Sequence, residues 1–339
     1  MTIRKFTLVF AFLMLPLAAG ADELLMKNGS RLVGKLVSAS ESSVVFETPF
    51  AGEITIKQEN IEVIVTDNPV TVLLQDGRVY RDRTILQQDQ ELLVMAENQQ
   101  PVEFNVPDIK LVNPEPWQLG DGYKWFGQAN AALESERGNT DSDEWDTDME
   151  SIWRSLRDRY TIRGVMEIDK SNGDKTKNTW TLRNKYDRFS SEDPDNYSGV
   201  QLFMKHDEFA DLDLRTGVGP YIGRQFFQSE LLTLHAEVGV VYVDEQFDVA
   251  EDDDYWGSNW EMRLTSGIIP KTELYVFQVG VFNFDETDNV IINTTIGISF
   301  PLLYGFKASA EALYEYDGGA VEDVDDTDET YRFKLGYTW

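Results

Sequence analysis

The chain has 339 residues, with 30 basic and 60 acidic side chains, two histidines and no cysteine, and its formal net charge is −30. The lack of cysteine excludes disulfides, thiolate metal sites and cysteine nucleophiles. An acidic surface repels nucleic acid, so we expect no nucleic-acid partner. Beyond the N-terminal segment, no stretch approaches the roughly 18 consecutive apolar residues of a membrane-spanning helix, and this excludes helical spans.

Residues 1–21 have the three parts of a secretory signal peptide. Arg4 and Lys5 supply a positive start, residues 6–17 are largely apolar, and residues 19–21 (AGA) fit the small-residue cleavage rule. A membrane anchor is the alternative, but the apolar run is short for one. We predict cleavage after Ala21. This cut removes two basic residues and changes the net charge from −30 to −32.

Residues 22–116 contain an internal repeat of about 48 residues. The run MKNG at 26–29 recurs as LQDG at 74–77, each time beside short apolar runs. A similar offset relates EITI at 53–56 to EFNV at 103–106, and NIEVI at 60–64 to DIKLV at 108–112. Asn-Gly and Asp-Gly between alternating residues indicate hairpins. Each copy is therefore predicted to form four or five short strands, on the scale of an SH3-like or Sm-like barrel.

We expect residues 22–116 to be a periplasmic module that binds or scaffolds a periplasmic partner, because no phosphate loop or catalytic triad is present in it. Prolines at 114 and 116 predict a stiff, extended connector to the second part, residues 117–339.

From Tyr123 onward, apolar and polar residues alternate in segments long enough for tilted strands that cross a membrane. The segments are 123–136, 143–156, 159–169, 177–188, 197–207, 211–222, 231–243, 257–267, 272–284, 290–300, 305–316 and 328–339. Two of them, 197–207 and 272–284, are ambiguous and leave ten strands open as an alternative to twelve. The sequence thus predicts an all-β protein with an antiparallel transmembrane β-barrel of about twelve strands in the cell outer membrane.

The connections between these segments predict the orientation of the barrel. Outer-membrane barrels have short periplasmic turns and longer outer loops. Three connections are long or strongly acidic and are predicted to face outward, namely 138–142, 244–256 and 317–327.

The last segment has the pattern of a closing barrel strand. Aromatic or aliphatic residues occupy every odd position, and Arg, Lys, Gly or Thr the even ones. We predict that these odd residues face lipid and serve as the signal recognised by the barrel-assembly machinery: Tyr331, Phe333, Leu335, Tyr337 and Trp339.

The predicted inward faces carry charges of both signs. The lumen is expected to include Arg154, Arg163, Arg183, Lys185, Arg215, Glu237, Arg263, Glu311, Arg332 and Lys334. Two interpretations stay open: a selective pore in which these charges act as a filter, or a ladder of salt bridges that plugs a narrow barrel.

His235 and Glu237 lie two apart on one strand and form a candidate acid–base pair. This pair supports an alternative hypothesis, an outer-membrane hydrolase that uses lumenal His235. The sequence lacks a nucleophile elbow, and we expect no catalytic residue.

Two acidic runs, EDDD at 251–254 and EDVDDTDE at 322–329, offer oxygen ligands of the kind that Ca²⁺ or Mg²⁺ prefers. Neither run matches an EF-hand loop. The weak metal candidates are Asp252, Asp253, Asp254, Asp323, Asp325, Asp326 and Asp328. No other cofactor is expected. Divalent ions at these loops could also bridge to lipopolysaccharide phosphates, and outer-membrane lipid and lipopolysaccharide are the expected surroundings.

Three motifs resemble those of the salt-induced outer-membrane proteins, a barrel family of unknown function. They are LESERGNT at 133–140, RTGVGPYIG at 215–223 and GYTW at 336–339. The resemblance covers about residues 120–339 and implies an outer-membrane barrel, but no activity and no catalytic residues. Members more often end in Phe than in Trp.

Taken with the resemblance, the sequence predicts a non-enzymatic outer-membrane protein, either structural or a narrow channel, with a link to salt and the envelope response. A third hypothesis makes the barrel an anchor for the periplasmic module.

Overall fold

The computed structural model describes residues 21–88, 91–95, 100–136, 142–229, 231–286, 289–319 and 326–339. These residues form strands, turns and five short 3-10 helices, so the all-β prediction is confirmed. None of the helices in the described ranges is long and apolar enough to cross a membrane. The signal predicted at 1–21 lies, apart from Ala21, outside the described residues. The chain divides into two compact units, Met1–Glu115 and Pro116–Trp339.

The first unit contains eleven short strands in two small sheets. The strands are β1 (Asp22–Met26), β2 (Arg31–Ala39), β3 (Ser43–Thr48), β4 (Gly52–Lys57), β5 (Ile61–Val65), β6 (Val70–Leu74), β7 (Val79–Arg83), β8 (Leu86–Gln88), β9 (Glu91–Met95), β10 (Pro101–Phe104) and β11 (Ile109–Val112). The larger sheet has the order β4-β3-β2-β11-β6-β7, with β1 paired to both β2 and β5, and β8, β9 and β10 form the second sheet.

The two halves of this unit follow the same order of elements. In each half the first strand pairs with the last, β1 with β5 and β6 with β11, and a 3-10 turn precedes the last strand. Gly29 and Gly77 have φ of 84° and 85°. The side chains of Asn28 and Asp76 accept hydrogen bonds from backbone N–H groups two residues ahead, at 2.9 and 3.0 Å. The comparison with SH3-like or Sm-like barrels stays a prediction.

Residues from both halves share one apolar core, which includes Leu24, Phe46, Val72 and Ile109. Beside it, the carboxylate of Asp22 is 1% exposed. Its two oxygens accept hydrogen bonds from the backbone N–H of Leu36 at 2.7 Å, Asp67 at 2.9 Å and Asn68 at 3.3 Å. The first strand is thereby fixed to both halves, because a buried carboxylate needs such donors.

The second unit is a closed barrel of twelve antiparallel strands in sequential order. The strands are β12 (Lys124–Glu136), β13 (Ser142–Arg154), β14 (Asp158–Ser171), β15 (Asp174–Phe189), β16 (Asn196–Asp207), β17 (Leu212–Gln228), β18 (Leu232–Phe247), β19 (Asp253–Ser266), β20 (Glu273–Asn283), β21 (Val290–Pro301), β22 (Phe306–Asp317) and β23 (Thr327–Thr338). The prediction of twelve strands is confirmed, and the alternative of ten is wrong, because the ambiguous segments form β16 and β20.

Alternation gives every barrel strand an outer and an inner face. Outward side chains such as Met149, Met166, Val238 and Ile296 are 44–57% exposed. Inward positions hold buried polar groups, including Glu150, Glu167, Lys185 and Arg332. An apolar outside and a polar inside in a closed sheet are the architecture of outer-membrane β-barrels.

We call the end that carries Lys124 and Thr338 proximal and the opposite end distal. The described distal connections contain Glu208, Asp211, Asp248, Glu251, Asp252, Asp285, Glu286 and Asp326, and no basic residue. The distal mouth of the barrel is therefore acidic.

The structure corrects the long outer loop expected at 244–256. Strand β18 continues to Phe247 and β19 begins at Asp253, so only residues 248–252 form the connection. The strands extend this far because Asp244 pairs with Asp254 in the ladder and the hydroxyl of Tyr242 donates a hydrogen bond to Asp254 at 3.0 Å. Charged residues can thus continue a strand where a polar run suggested a loop.

The seam that closes the barrel, between β12 and β23, has a short ladder. Paired residues run only from Gln128–Thr338 to Ala131–Leu335, followed at the proximal end by reciprocal backbone hydrogen bonds between Gly127 and Trp339. By contrast, β12 pairs with β13 along its whole length, from Lys124–Arg154 to Glu136–Ser142. Among the described residues, the distal part of β23 therefore has a ladder partner on one side only.

Candidate functional site

The candidate site is the lumen of the barrel, and one wall of it is closely packed with ion pairs. The ammonium group of Lys185 contacts the carboxylates of Glu237 and Glu261, the latter at 3.1 Å. The guanidinium of Arg183 lies 3.4 Å from Glu261. These contacts join β15 to β18 and β19 through the interior and bring together three of the charges predicted for the lumen, Arg183, Lys185 and Glu237.

The same cluster includes residues that the sequence analysis missed. Arg159 donates a hydrogen bond to Asp187 at 2.5 Å, the Tyr197 hydroxyl donates to Glu237 at 2.8 Å, and the Tyr221 hydroxyl donates to Asp187. Arg159 lies four residues before Arg163 on the same strand, so the alternation that places Arg163 in the lumen also predicts an inward position for Arg159. The two tyrosines lie at inward positions of predicted strands. The predicted lumen set contained only charged residues and therefore did not include them.

A second cluster lies inside the seam. Arg332 and Lys334 project from β23 past β12 to strands β13 and β14. Arg332 contacts Glu167 at 2.7 Å and Asp146 at 3.3 Å, and Lys334 contacts Asp148 at 2.5 Å. Lys334 also lies 2.7 Å from Glu311.

The remaining predicted lumen cations divide into paired and unpaired groups. Arg263 makes a bidentate contact with Glu150 at 2.8 and 2.5 Å. Arg215 donates to Glu245 at 2.5 Å and to Asp317 at 3.1 Å. Arg154 instead lies 3.5 Å above the centre of the Phe189 ring, which places it in a cation–π contact.

Aromatic rings lie over glycines on the packed wall. A methyl group at Gly217 would overlap the Phe203 ring, and one at Gly223 would overlap the Tyr197 ring. The glycine-rich run at 215–223 thus makes room for rings from the neighbouring strand. This packing leaves the two rings buried, at 6% exposure for Phe203 and 4% for Tyr197.

The packing of the lumen leaves two cavities. The distal cavity, of about 190 Å³, reaches Asp317 and Asp326 at the acidic mouth. The proximal cavity, of about 440 Å³, reaches Trp339 at the other end. Five residues line both cavities and so form the wall between them: Arg163, Val165, Phe277, Thr295 and Leu313.

The centre of this wall is a stack of one ring and two cations. The Arg163 guanidinium lies 4.0 Å from the centre of the Phe277 ring, and that of Arg263 lies 5.1 Å from it. Arg263 is held by Glu150, whereas Arg163 has no ion pair with any described residue. We call Arg163, Phe277 and Arg263 the constriction.

Among the described residues, His235 has a carboxylate neighbour but no hydroxyl group that it could activate as a base. Its Nε2 atom lies 4.0 Å from Glu261, and no hydroxyl group of the described residues hydrogen-bonds to it. The ligand atoms of His235, Glu237 and Glu261 lie within 4.8 Å of one another, the arrangement of a three-ligand metal site. Lys185 already contacts both carboxylates, so its ammonium group competes with a metal ion for them.

The aspartates of the two acidic runs at the distal end do not form one cluster in the described residues, and several of them belong to strands or make other hydrogen bonds. The carboxylate of Asp252 accepts a hydrogen bond from the Phe247 N–H at 3.1 Å, Asp253 and Asp254 belong to β19, and Asp328 belongs to β23. Asp326 accepts a hydrogen bond from the Thr327 hydroxyl at 3.0 Å. Asp323 and Asp325 lie outside the described residues. The role of these residues as metal ligands stays a prediction.

The acidic turn between β16 and β17 contains a carboxylate, Glu208, that is fixed by neighbouring side chains. Glu208 accepts hydrogen bonds from Lys175 at 2.8 Å and Asn178 at 2.7 Å. The Lys175 bond, followed by the Asn178 bond, lowers the pKa of the Glu208 carboxyl from its ordinary value.

The residues of the predicted assembly signal lie on the outer face of β23. Tyr331 and Phe333 are 76% and 82% exposed, and Leu335 and Tyr337 are 55% and 44% exposed. Trp339 follows the strand, and its ring centre lies 5.7 Å from that of Trp125. Recognition by the assembly machinery stays a prediction.

Solved structures similar to this chain include the NanC porin, with 8% identity, a TM-score of 0.39, and 63% of this chain and 98% of that chain covered. The COG4313 outer membrane channel from Pseudomonas putida F1 has 15% identity and a TM-score of 0.38, over 64% and 94% of the two chains. The outer membrane channel DcaP of Acinetobacter baumannii has 12% identity and a TM-score of 0.32, over 94% of each chain. These TM-scores are low, so the description of the barrel rests on its own strand register.

No curated protein matches the chain. A family model does match, over residues 129–339, which is more than half of the sequence and nearly all of the barrel. The family's description does not mention salt, so the link to salt stays a prediction. The chain belongs to the family described as protein of unknown function, DUF481.

Proposed function

We propose that this protein is a non-enzymatic outer-membrane barrel whose lumen is a narrow channel, interrupted at the constriction of Arg163, Phe277 and Arg263. The observation that carries the proposal is the pair of cavities, each reaching one end of the barrel and sharing a wall of five residues. A lumen plugged along its length would leave no such pair.

The asymmetry of the lumen supports a channel over a purely structural barrel. The ion-pair cluster of Lys185, Glu237 and Glu261 lies against the packed wall. The two cavities are separated from each other by only five residues, and among these Arg163 is held by a ring and not by a carboxylate. An arginine without an ion pair can change rotamer at lower cost than one that would leave a buried carboxylate behind.

Location follows from the same architecture. A closed barrel with an apolar outer face belongs in the outer membrane, with lipid and lipopolysaccharide around it. We further propose that the unit of residues 22–115 lies in the periplasm, since both ends of the barrel chain are at the proximal end.

Single-channel recording of the refolded chain in planar bilayers tests the proposal. The native sequence should give small steps, and Phe277→Ala should give steps roughly two- to fivefold larger, because the substitution removes the ring between the two cavities. The matched control is Phe300→Ala, the same truncation on the lipid face of β21, where the side chain is 43% exposed. That variant should conduct like the native chain.

Two results would count against the channel. One is silence from all three proteins when each shows the heat-dependent gel mobility of a folded barrel. The other is a conductance that Phe277→Ala leaves unchanged, which would mean that ions take another path.

A further inference from the structure

We propose that the seam between β12 and β23 binds a single-chain organic anion, with its apolar chain in a groove on the lipid face and its acidic group in the proximal cavity. The inference rests on the proposed function only in placing the barrel in a membrane.

The seam is the weakest closure of the barrel. Its ladder ends at Ala131–Leu335, while β23 is paired with β22 from Phe306–Tyr337 to Tyr316–Thr327. Tyr331 and Phe333, just beyond the end of the seam ladder, are 76% and 82% exposed, more than Val238 at 54% in a fully paired region. Only the last pairs of a short ladder would have to separate for a polar group to pass between the strands.

A groove of about 510 Å³ lies on the outer face at this place. Its floor consists of small residues, Ala129, Ala131 and Gly164, and its sides include Met149, Met166 and Leu335. A floor without large side chains between apolar sides fits an extended alkyl chain. The groove faces outward from the barrel, where alkyl chains are the surrounding medium.

The groove and the proximal cavity meet at three residues. Asn130, Asp148 and Val165 line both of them. Asn130 donates a hydrogen bond to Asp148 at 2.6 Å, and it packs so closely on Gly336 that a methyl group there would overlap its amide oxygen. This buried oxygen has no hydrogen-bond partner. A buried polar atom without a hydrogen-bond partner thus lies where the groove and the proximal cavity meet.

The charges of the proximal cavity favour an anion. Four carboxylates line it. The three buried ones are paired, Asp148 with Lys334, Glu150 with Arg263, and Glu311 with Lys334, and the fourth, Glu273, is exposed at the start of β20. Two of its cations have no ion pair with a described residue. Arg163 lies on the Phe277 ring, and Lys307 donates to the amide oxygen of Gln128. An anionic group would supply the missing partner, since charge-assisted hydrogen bonds are the stronger ones.

The acidic distal mouth makes the seam a better entrance for an anion than the distal end. Like charges repel, so the carboxylates of the distal connections oppose the entry of an anion from that side. A molecule that is already in the membrane meets no such barrier at the groove.

Equilibrium binding of radiolabelled dodecanoate to the full chain in phosphatidylcholine nanodiscs tests the proposal, with empty discs subtracted. Unlabelled dodecanoate should compete, whereas butyrate, which lacks the chain, and dodecyltrimethylammonium, which has the opposite charge, should not. Lys307→Gln should weaken binding by about tenfold or more. Lys175→Gln, at an exposed site beside Glu208, is the charge-matched control and should bind like the native chain.

A disulfide across the seam tests the route. Ala131 and Leu335 are ladder partners, and the native chain has no cysteine. Oxidised Ala131→Cys/Leu335→Cys should lose dodecanoate binding and regain it on reduction. The control is Ile296→Cys/Ala312→Cys, a partner pair between β21 and β22 that lines neither the groove nor the proximal cavity and should bind in both states.

Binding that survives both Lys307→Gln and the oxidised seam, or that butyrate or the cationic analogue abolishes equally well, would overturn the proposal. Conductance of the same purified proteins in planar bilayers separates the seam site from the channel. A conducting barrel that does not bind dodecanoate refutes the seam site alone, and a silent barrel that binds it refutes the channel alone.

Discussion

Gly217 shows how a single position shapes this barrel. It is an inward position of β17, and the ring of Phe203 fills the space where its side chain would lie. The sequence marks the glycine-rich run as unusual, but it does not show which ring each glycine receives. That assignment depends on the register between β16 and β17, which only the ladder provides.

Gly217→Ala should therefore destabilise the barrel, because the added methyl group forces the ring or the backbone to move, at a cost of about 1–3 kcal/mol. Urea unfolding in lipid vesicles, followed by tryptophan fluorescence, measures this free energy. Gly164→Ala is the control, since its new methyl group would lie 4.0 Å from its nearest neighbour, the backbone oxygen of Thr181. Equal midpoints for the two variants would contradict the packing described for β16 and β17.

Lys185 joins two buried carboxylates of the packed wall. Its ammonium group lies between Glu237 and Glu261, and its side chain is 6% exposed. Lys185→Met leaves both carboxylates buried without this partner and should cost about 3–5 kcal/mol of unfolding free energy. Lys175→Met, which breaks an exposed ion pair with Glu208, should change the unfolding midpoint little. A small effect at position 185 would mean that water or Arg183 replaces the lost contact.

At the scale of elements, the alternation of apolar and polar residues predicts all twelve barrel strands. It predicts the first and last residues of each strand less accurately. The connection between β14 and β15 is a two-residue turn of Asn172 and Gly173, with φ of 51° and 89°. The Asn-Gly pair is a strong hairpin signal, yet the predicted segments ended before it. The strands on both sides of this turn are rich in charged residues. Such runs favour the prediction of a loop, although in the structure the ladder of β14 and β15 continues through them.

The short ladder of the seam could not be predicted from the sequence, for a different reason. The pattern of β23 indicates a strand with one apolar face, and it says nothing about how many residues pair with β12. Register between the first and last strands depends on the tilt of the whole barrel. Likewise, the ion pairs from Arg332 and Lys334 to β13 and β14 cross a strand that separates them in the sheet. Alternation predicts that these side chains point inward but does not identify their partners.

At the scale of the whole barrel, the lumen has filled and open parts. Strands β15 to β19 contribute the ion pairs and aromatic rings that fill one part. The proximal cavity is lined from β12, β13, β14 and the strands from β19 onward, and the distal cavity is lined from β14 to β18 and from β20 onward. The predicted alternatives, a filter of charges or a ladder that plugs the barrel, each describe one part. A charge list cannot separate them, because pairing and packing depend on distances across the lumen.

The central claim, a lumen interrupted at Phe277, is tested most directly by thiol accessibility from each side of a bilayer. Thr179 lines only the distal cavity and Thr265 only the proximal one, and the native chain has no cysteine to interfere. With a membrane-impermeant methanethiosulfonate reagent, Thr179→Cys should react only from the distal side and Thr265→Cys only from the proximal side. Adding Phe277→Ala should let each react from both sides. Reaction of both positions from both sides with Phe277 intact, or of neither from either side, would contradict this account.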